Sequence, residues 1–366
     1  MMKIAFDAKR AFQNTTGLGN YSRNLLTALA HTYPDNEYLL FAPKITSQYD
    51  TFENQQVITP TRFYEKIIPS IWRTRTQIDQ LKQLKPQIFH GLSHELPIGI
   101  EKSGIRTVVT VHDLIFMRYG ELYGLVDRNI YARKYGRSCK VADKVIAISK
   151  QTKADLMEYF KIPEERIEVI YQTIDQRFFD TPSPVDVWNV KEKYNLPENF
   201  ILNVGTIEER KNLLNLVKAL QIAKCDLPLV VVGKPTPYMM EVQNFLNTAS
   251  QLRVQFLHNV DFQELLCLYN AASFSAFPSI FEGFGLPVVE SLATGTPVIT
   301  SNVSSLPEAG GDAAVYADPW NPESIAEKID KVAGDPGDLT TLKQHAQQFN
   351  ADAFAQGVMD LYQRML

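Results

Sequence analysis

The chain has little cysteine, and what it has is scattered: Cys139, Cys225 and Cys267 in 366 residues. An odd number at wide spacing builds neither a disulfide framework nor a cysteine-based metal or redox pair. That pattern fits a reduced, cytosolic compartment. No apolar run approaches the ~18 residues that a membrane span needs. The opening MMKIAFDAKR meets a charge too early for a secretory leader and reads as a first strand. There is no low-complexity tract and no internal repeat, so solenoids and arrays are set aside.

What is present fits a globular chain with real cores: 45% hydrophobic and 21% charged residues. The length suggests two domains. A net charge of −4 hides an asymmetry, because residues 1–180 hold 25 Lys and Arg against 20 Asp and Glu, whereas the remainder holds 12 against 21. Basic residues gather at 62–85, with Ile67, Ile68, Ile71 and Trp72 interleaved, and again at 128–144. Each cluster reads either as a solvated helix face or as a surface for an anionic membrane or a pyrophosphate-bearing substrate.

Apolar strands alternating with amphipathic stretches predict a doubly wound α/β fold. Strands are expected at 3–8, 37–43, 87–92, 106–112, 144–149 and 166–171, and a second series at 200–206, 228–233, 254–258, 274–278, 297–301 and 314–317. Residues 175–197, with Pro182, Pro184 and Pro197, read as the linker. The expected division is therefore 1–180 and 181–349, with a terminal helix at 350–366. After the first strand, Gly17 and Gly19 read as a loop before a helix on Leu25, Leu26 and Leu29. The third glycine of a dinucleotide fingerprint is missing.

The stretch 277–297, FPSIFEGFGLPVVESLATGTP, carries the strongest signal for chemistry. A strand breaks into Glu282-Gly283-Phe284-Gly285 and enters a helix at Leu286, with Pro287 in the first turn. Glycines let backbone approach a ligand, and a helix start offers unpaired N–H groups to phosphate. Glu282 and Glu290, with seven residues between them, suit sugar hydroxyls. A plain helix start, with a glutamate favoured by the helix dipole, is the structural alternative. Arg210 and Lys211, just past the strand that ends at Gly205-Thr206, are placed to neutralise a diphosphate. Exposed surface cations are the alternative. His112 and Asp113 end an apolar strand at the edge where ligands bind such sheets; the alternative is a helix-capping Asp beside an incidental His. His90 and His94 stand four apart without a third ligand spaced for zinc, and read as polar groups lining a cleft.

Taken together, TGLGNYSRNLL, TVHDLIF, KVIAIS, VGTIEERKN, the 277–297 stretch and SLPEAGGDAA resemble the retaining glycosyltransferases of family 4, in particular a bacterial mannosyltransferase branch. The resemblance covers nearly the whole chain. It implies the GT-B architecture, two Rossmann-like domains facing across a cleft, with the last helix crossing back to the N-terminal domain. It implies donor binding by Gly17, Gly19, Gly205, Thr206, Gly283, Phe284, Gly285, Leu286 and Glu290, the last holding ribose hydroxyls. Catalytic roles fall to His112, Arg210, Lys211 and Glu282, and an acceptor side to His90, His94 and Asp113. The family's usual glycine-arginine dipeptide reads Gly205-Thr206 here, so Arg210 is the candidate replacement.

The expected activity is transfer of a hexose, mannose from GDP-mannose, to a glycan or lipid-linked acceptor in surface polysaccharide synthesis. No cofactor and no metal are expected, since no Asp-x-Asp pair accompanies the pattern, and no nucleic acid. The expected location is the cytoplasm with peripheral contact to the inner membrane face. A UDP-sugar donor, a nucleotide-sugar epimerase and a non-catalytic nucleotide-sugar binder remain open alternatives. A phosphorylase is disfavoured, because the chain is too short for the usual form.

Overall fold

The computed structural model describes residues 1–335 and 338–366. The chain forms two compact units, one of Met1–Thr173 with Phe349–Leu366, the other of Ile174–Gln348. Among the described residues no helix is long and apolar enough to cross a membrane.

The first unit holds seven strands: β1 (Lys3–Asp7), β2 (Glu37–Phe41), β3 (Gln55–Ile58), β4 (Ile88–Gly91), β5 (Arg106–Val111), β6 (Lys144–Ala147) and β7 (Ile167–Val169). All pair in parallel, in the order β3-β2-β1-β4-β5-β6-β7. The second unit holds six: β8 (Ile201–Val204), β9 (Leu229–Val232), β10 (Val254–Leu257), β11 (Phe274–Phe277), β12 (Val298–Ser301) and β13 (Val315–Ala317). Their order, β10-β9-β8-β11-β12-β13, is again wholly parallel. Helices cover such sheets on both faces, which is why inner strands such as Leu229–Val232 are buried at every position. Both units are Rossmann-like and doubly wound, as the alternating pattern predicts.

In each sheet the chain winds outward in one direction and then in the other. The reversal lies between β1 and β4 in the first unit and between β8 and β11 in the second. At such a switch point neighbouring loops diverge and leave a crevice at the carboxyl ends of the strands.

Three expectations need correction. Residues 175–197 are not a plain linker, because they carry a 3-10 turn, Gln176–Phe179, and a helix, Pro184–Lys193. Ser183 caps that helix and Pro184 opens it, so this proline starts structure. Edge strand β3 was not expected at all. The glycines at 17 and 19 lie inside the first turn of the helix Gly17–Thr32, not in a loop ahead of it.

The terminal helix Ala351–Met365 buries Phe354, Val358, Leu361 and Tyr362 on one face and packs on the helix Gly17–Thr32. Tyr21 and Phe354 meet edge to face at 5.3 Å. Fully burying such an apolar side chain stabilises by about 1.5–3 kcal/mol.

Candidate sugar-nucleotide site

In the second unit, the loops leaving β8 and β11 meet at the switch point. Gly205, the residue after β8, sits at φ +145°, a conformation open to glycine and strained for other residues. The backbone then makes the turn Glu209–Lys211 and enters the helix Leu213–Ile222 through Asn212, at φ +63°. Asn212 Nδ2 donates to Pro278 O at 2.9 Å and to Pro319 O at 2.7 Å, and the Ile280 N–H donates to Arg210 O at 2.9 Å. The two loops are therefore fixed to each other.

That fixing brings both cations onto one carboxylate. Lys211 Nζ lies 2.6 Å from Glu282 Oε1 and Arg210 Nη1 2.8 Å from Glu282 Oε2. Arg210 also pairs with Glu208 and donates to Phe281 O. Burial acts to raise the Glu282 carboxyl, but Arg210 and Lys211 overcome it and hold the group at about 2. The cluster sets two cations, Arg210 and Lys211, against two carboxylates, Glu282 and the more exposed Glu208, so its formal charges balance.

The turn is held from behind. Ser304 Oγ donates to Glu282 O at 2.8 Å and accepts from its N–H, while Ser305 Oγ reaches the carbonyls of Glu282 and Phe284, each at 2.9 Å. Gly285, at φ +109°, caps the helix Leu286–Thr294; a Cβ there would lie 2.8 Å from the Leu306 side chain. The Phe284 ring is buried, so only the backbone of Gly283–Gly285 can address a ligand.

One turn into the same helix, Glu290 accepts a hydrogen bond from Tyr269 Oη at 2.9 Å. Its environment is the reverse of that around Glu282. Burial outweighs the Tyr269 hydrogen bond and the attraction of Lys211, and pushes the carboxyl up to about 7. One short segment thus presents a permanently ionised carboxylate locked to cations and a second that titrates near neutrality.

The remaining candidates belong to the first unit. His112 follows β5; its Nε2 donates to Leu92 O at 2.9 Å, and its backbone N–H donates to His94 Nε2 at 3.1 Å. His94, at φ +63°, stacks on Tyr135 at 4.4 Å between ring centroids. Burial holds both imidazoles down at about 3, so they are neutral hydrogen-bonding groups. Asp113 accepts from the Ile115 N–H at the start of a short helix.

His90 is corrected: it does not line a cleft. Its ring is fully buried, with Nε2 2.8 Å from Thr110 Oγ1 and Nδ1 2.6 Å from Tyr362 Oη on the terminal helix. The Gly19 N–H is occupied by Asn14 Oδ1 at 3.0 Å, and a Cβ at Gly19 would strike Asn14 O, so its glycine serves close packing. A Cβ at Gly17 would meet nothing.

Sequence reasoning missed Tyr269, Asn212, Ser304 and Ser305. The available signals were VGTIEERKN, which ends at Asn212, and SLPEAGGDAA, which opens at Ser305. Among the described residues, no three His, Cys, Asp or Glu side chains are grouped to hold a metal ion.

Two family models match the chain, "Glycosyltransferase Family 4" over residues 15–178 and "Glycosyl transferases group 1" over residues 186–349. The O-antigen chain mannosyltransferase B of Escherichia coli is 29% identical over 347 residues, covering 90% of each chain. The O-antigen chain mannosyltransferase RfbU of Salmonella typhimurium is 25% identical over 362 residues, covering 95% of this chain and 96% of its own. Anabaena Alr3699/HepE, solved in complex with UDP and glucose, superposes with a TM-score of 0.73 over 100% of both chains at 18% identity.

Proposed function

Since the chain belongs to the family-4 glycosyltransferases and has their GT-B fold of two Rossmann-like units, we propose that it transfers mannose from GDP-mannose, with retention and without a metal, to a glycan or lipid-linked acceptor. The pairing of Arg210 and Lys211 on Glu282 at the β8/β11 switch point carries this reading. The mannosyl donor and the surface-polysaccharide setting rest on similarity to two O-antigen mannosyltransferases.

In the reaction, the bond from the sugar's anomeric carbon to the diphosphate oxygen breaks, and a bond from that carbon to the acceptor oxygen forms. The acceptor proton goes to the departing phosphate oxygen. Negative charge grows on the diphosphate as the first bond stretches. Lys211 and Arg210 supply opposing charge already held in place, so little reorganisation is needed, commonly a large catalytic contribution. Glu282 orients the two cations and accepts from a donor-sugar hydroxyl. Glu290 accepts from the ribose hydroxyls. His112, neutral at working pH, is assigned to the transferred sugar as a hydrogen-bonding partner. The proposed location is cytoplasmic, at the inner membrane face.

A thermal-shift screen with GDP, UDP, ADP and their sugar conjugates, with and without EDTA, tests the donor. Ligand at ~100 times its dissociation constant adds about 2.7 kcal/mol, or roughly 5–11 °C for units of this size. A GDP or GDP-mannose shift that survives EDTA is expected. A shift with UDP compounds alone would overturn the mannosyl assignment. Loss of the shift in EDTA would overturn metal independence.

A further inference from the structure

A second crevice lies at the other switch point. A cavity of about 390 Å³ in the first unit is lined by Lys9 and Arg10 after β1, Lys44 after β2, Arg73, Glu95 after β4, and Lys134. Five cations thus surround one carboxylate. The two basic clusters of the sequence, far apart in the chain, each contribute a residue to it: Arg73 and Lys134.

The cations are not equivalent. Arg73 is satisfied internally, 2.7 Å from Asp7 and 3.2 Å from Glu95. With Lys134 4.0 Å from Glu95, that carboxylate is already shared between two partners. Lys9, Arg10 and Lys44 have no ion pair among the described residues. Arg10 Nε is buried with no hydrogen-bond partner. A buried donor left unmade is costly, and its usual resolution is an acceptor supplied from outside. Burial, then repulsion from Arg73 and Arg10, lowers the Lys9 ammonium from its ordinary value, which an incoming anion would reverse.

The volume exceeds what a lone phosphate fills and lies in the range of small-molecule sites. We propose that this cavity binds the phosphate or diphosphate group of the acceptor, a glycan carried on phosphate, with Arg10, Lys9 and Lys44 as its ligands. The assignment of that anion to an acceptor rests on the glycosyltransferase reading above; the anion site itself does not.

The test is calorimetric titration of the full chain, first with GDP and UDP, then, with the tighter nucleotide saturating, with inorganic pyrophosphate and with geranyl diphosphate. The proteins compared are the wild type, Lys44→Gln and Arg10→Gln. A diphosphate site that persists beside bound nucleotide is expected. Its affinity should fall about tenfold or more in either variant, as loss of one charge-assisted contact implies, with nucleotide affinity unchanged. Lys44 is exposed, so its variant stays folded even if Arg10→Gln does not. Absence of a second site, or a site indifferent to Lys44→Gln, overturns the proposal. Equal affinity for the two diphosphates supports recognition of the charged group alone, and tighter geranyl diphosphate supports a prenyl carrier. Failure of both nucleotides to bind would count against the glycosyltransferase reading while leaving the pyrophosphate result to decide the cavity.

Discussion

Tyr269 Oη donates a hydrogen bond to Glu290 across 2.9 Å, from the helix Phe262–Ala271 to the helix Leu286–Thr294. This is the hydrogen bond that opposes burial at Glu290, whose carboxyl nevertheless rises to about 7. Ribose hydroxyls bind a carboxylate better than a carboxylic acid. Nucleotide affinity is therefore expected to rise as pH increases through about 7. Tyr269→Phe should move that midpoint upward by roughly one unit, the worth of one charged hydrogen bond. Glu290→Gln should abolish the dependence and weaken binding. Dissociation constants between pH 5.5 and about 8.5 test this, and a flat wild-type profile would remove Glu290 from the ribose.

Lys211→Ala should lose about 10²–10³-fold in kcat, the usual cost of removing a preorganised charge-stabilising donor. Glu282 keeps Arg210 in that variant, so the fold should hold. Lys211 also attracts Glu290, so its removal should raise the midpoint of the binding profile as well. Near-normal turnover in a folded Lys211→Ala protein would refute the leaving-group role.

Glu282→Gln should be worse for stability than Lys211→Ala, because it takes the carboxylate from Lys211 and leaves Arg210 with Glu208 as its ion-pair partner. Removing one member of a buried ionic cluster costs about 3–5 kcal/mol, roughly 6–20 °C in the melting midpoint for units of this size. The sign with pH is fixed. A carboxyl held at about 2 in the folded state contributes stability that is present above its unfolded value, about 4.3, and lost as pH falls through about 2. The gap between wild type and Glu282→Gln in denaturant melts should close over that acid window. A gap that stays constant to pH ~2 would show that ionisation is not its source.

The parts of this fold legible in the sequence were those buried on both faces. Runs such as Val108–Val111 and Leu229–Val232 have only one environment open to them, the interior of a parallel sheet. Edge strand β3, QQVI, is short and opens with two glutamines, with burial confined to its two ends, Gln55 and Ile58, so its residues carry no continuous apolar signal. Its identity depends on Gln55, whose amide reaches Tyr49 Oη and Leu26 O, contacts that exist only after folding. At the site, Glu282, Lys211 and Arg210 were legible because their spacing matches a known motif. Their mutual pairing was not, since 71 positions separate Lys211 from Glu282. His90 misled for the same reason: its partner Tyr362 lies 272 residues away.

Gly285 offers a test of the turn that leaves every charge in place. At φ +109° an alanine is strained whatever space surrounds it, and here its Cβ would also press on Leu306 at 2.8 Å. Backbone strain of this kind costs about 1–3 kcal/mol. The protein can relieve it by rotating the peptide before the helix, which would turn the Gly283–Gly285 backbone away from its ligand-facing arrangement. Gly285→Ala is therefore expected to lower the melting midpoint by roughly 2–12 °C and to weaken nucleotide-sugar binding more than it weakens free nucleotide, because the Glu290 end of the site is one turn further along. Gly17→Ala, where a Cβ meets nothing, is the matched control and should change the midpoint little. If Gly285→Ala binds GDP-mannose and GDP with unaltered affinities, the turn's backbone does not contact the donor, and its glycine serves only the packing on Leu306.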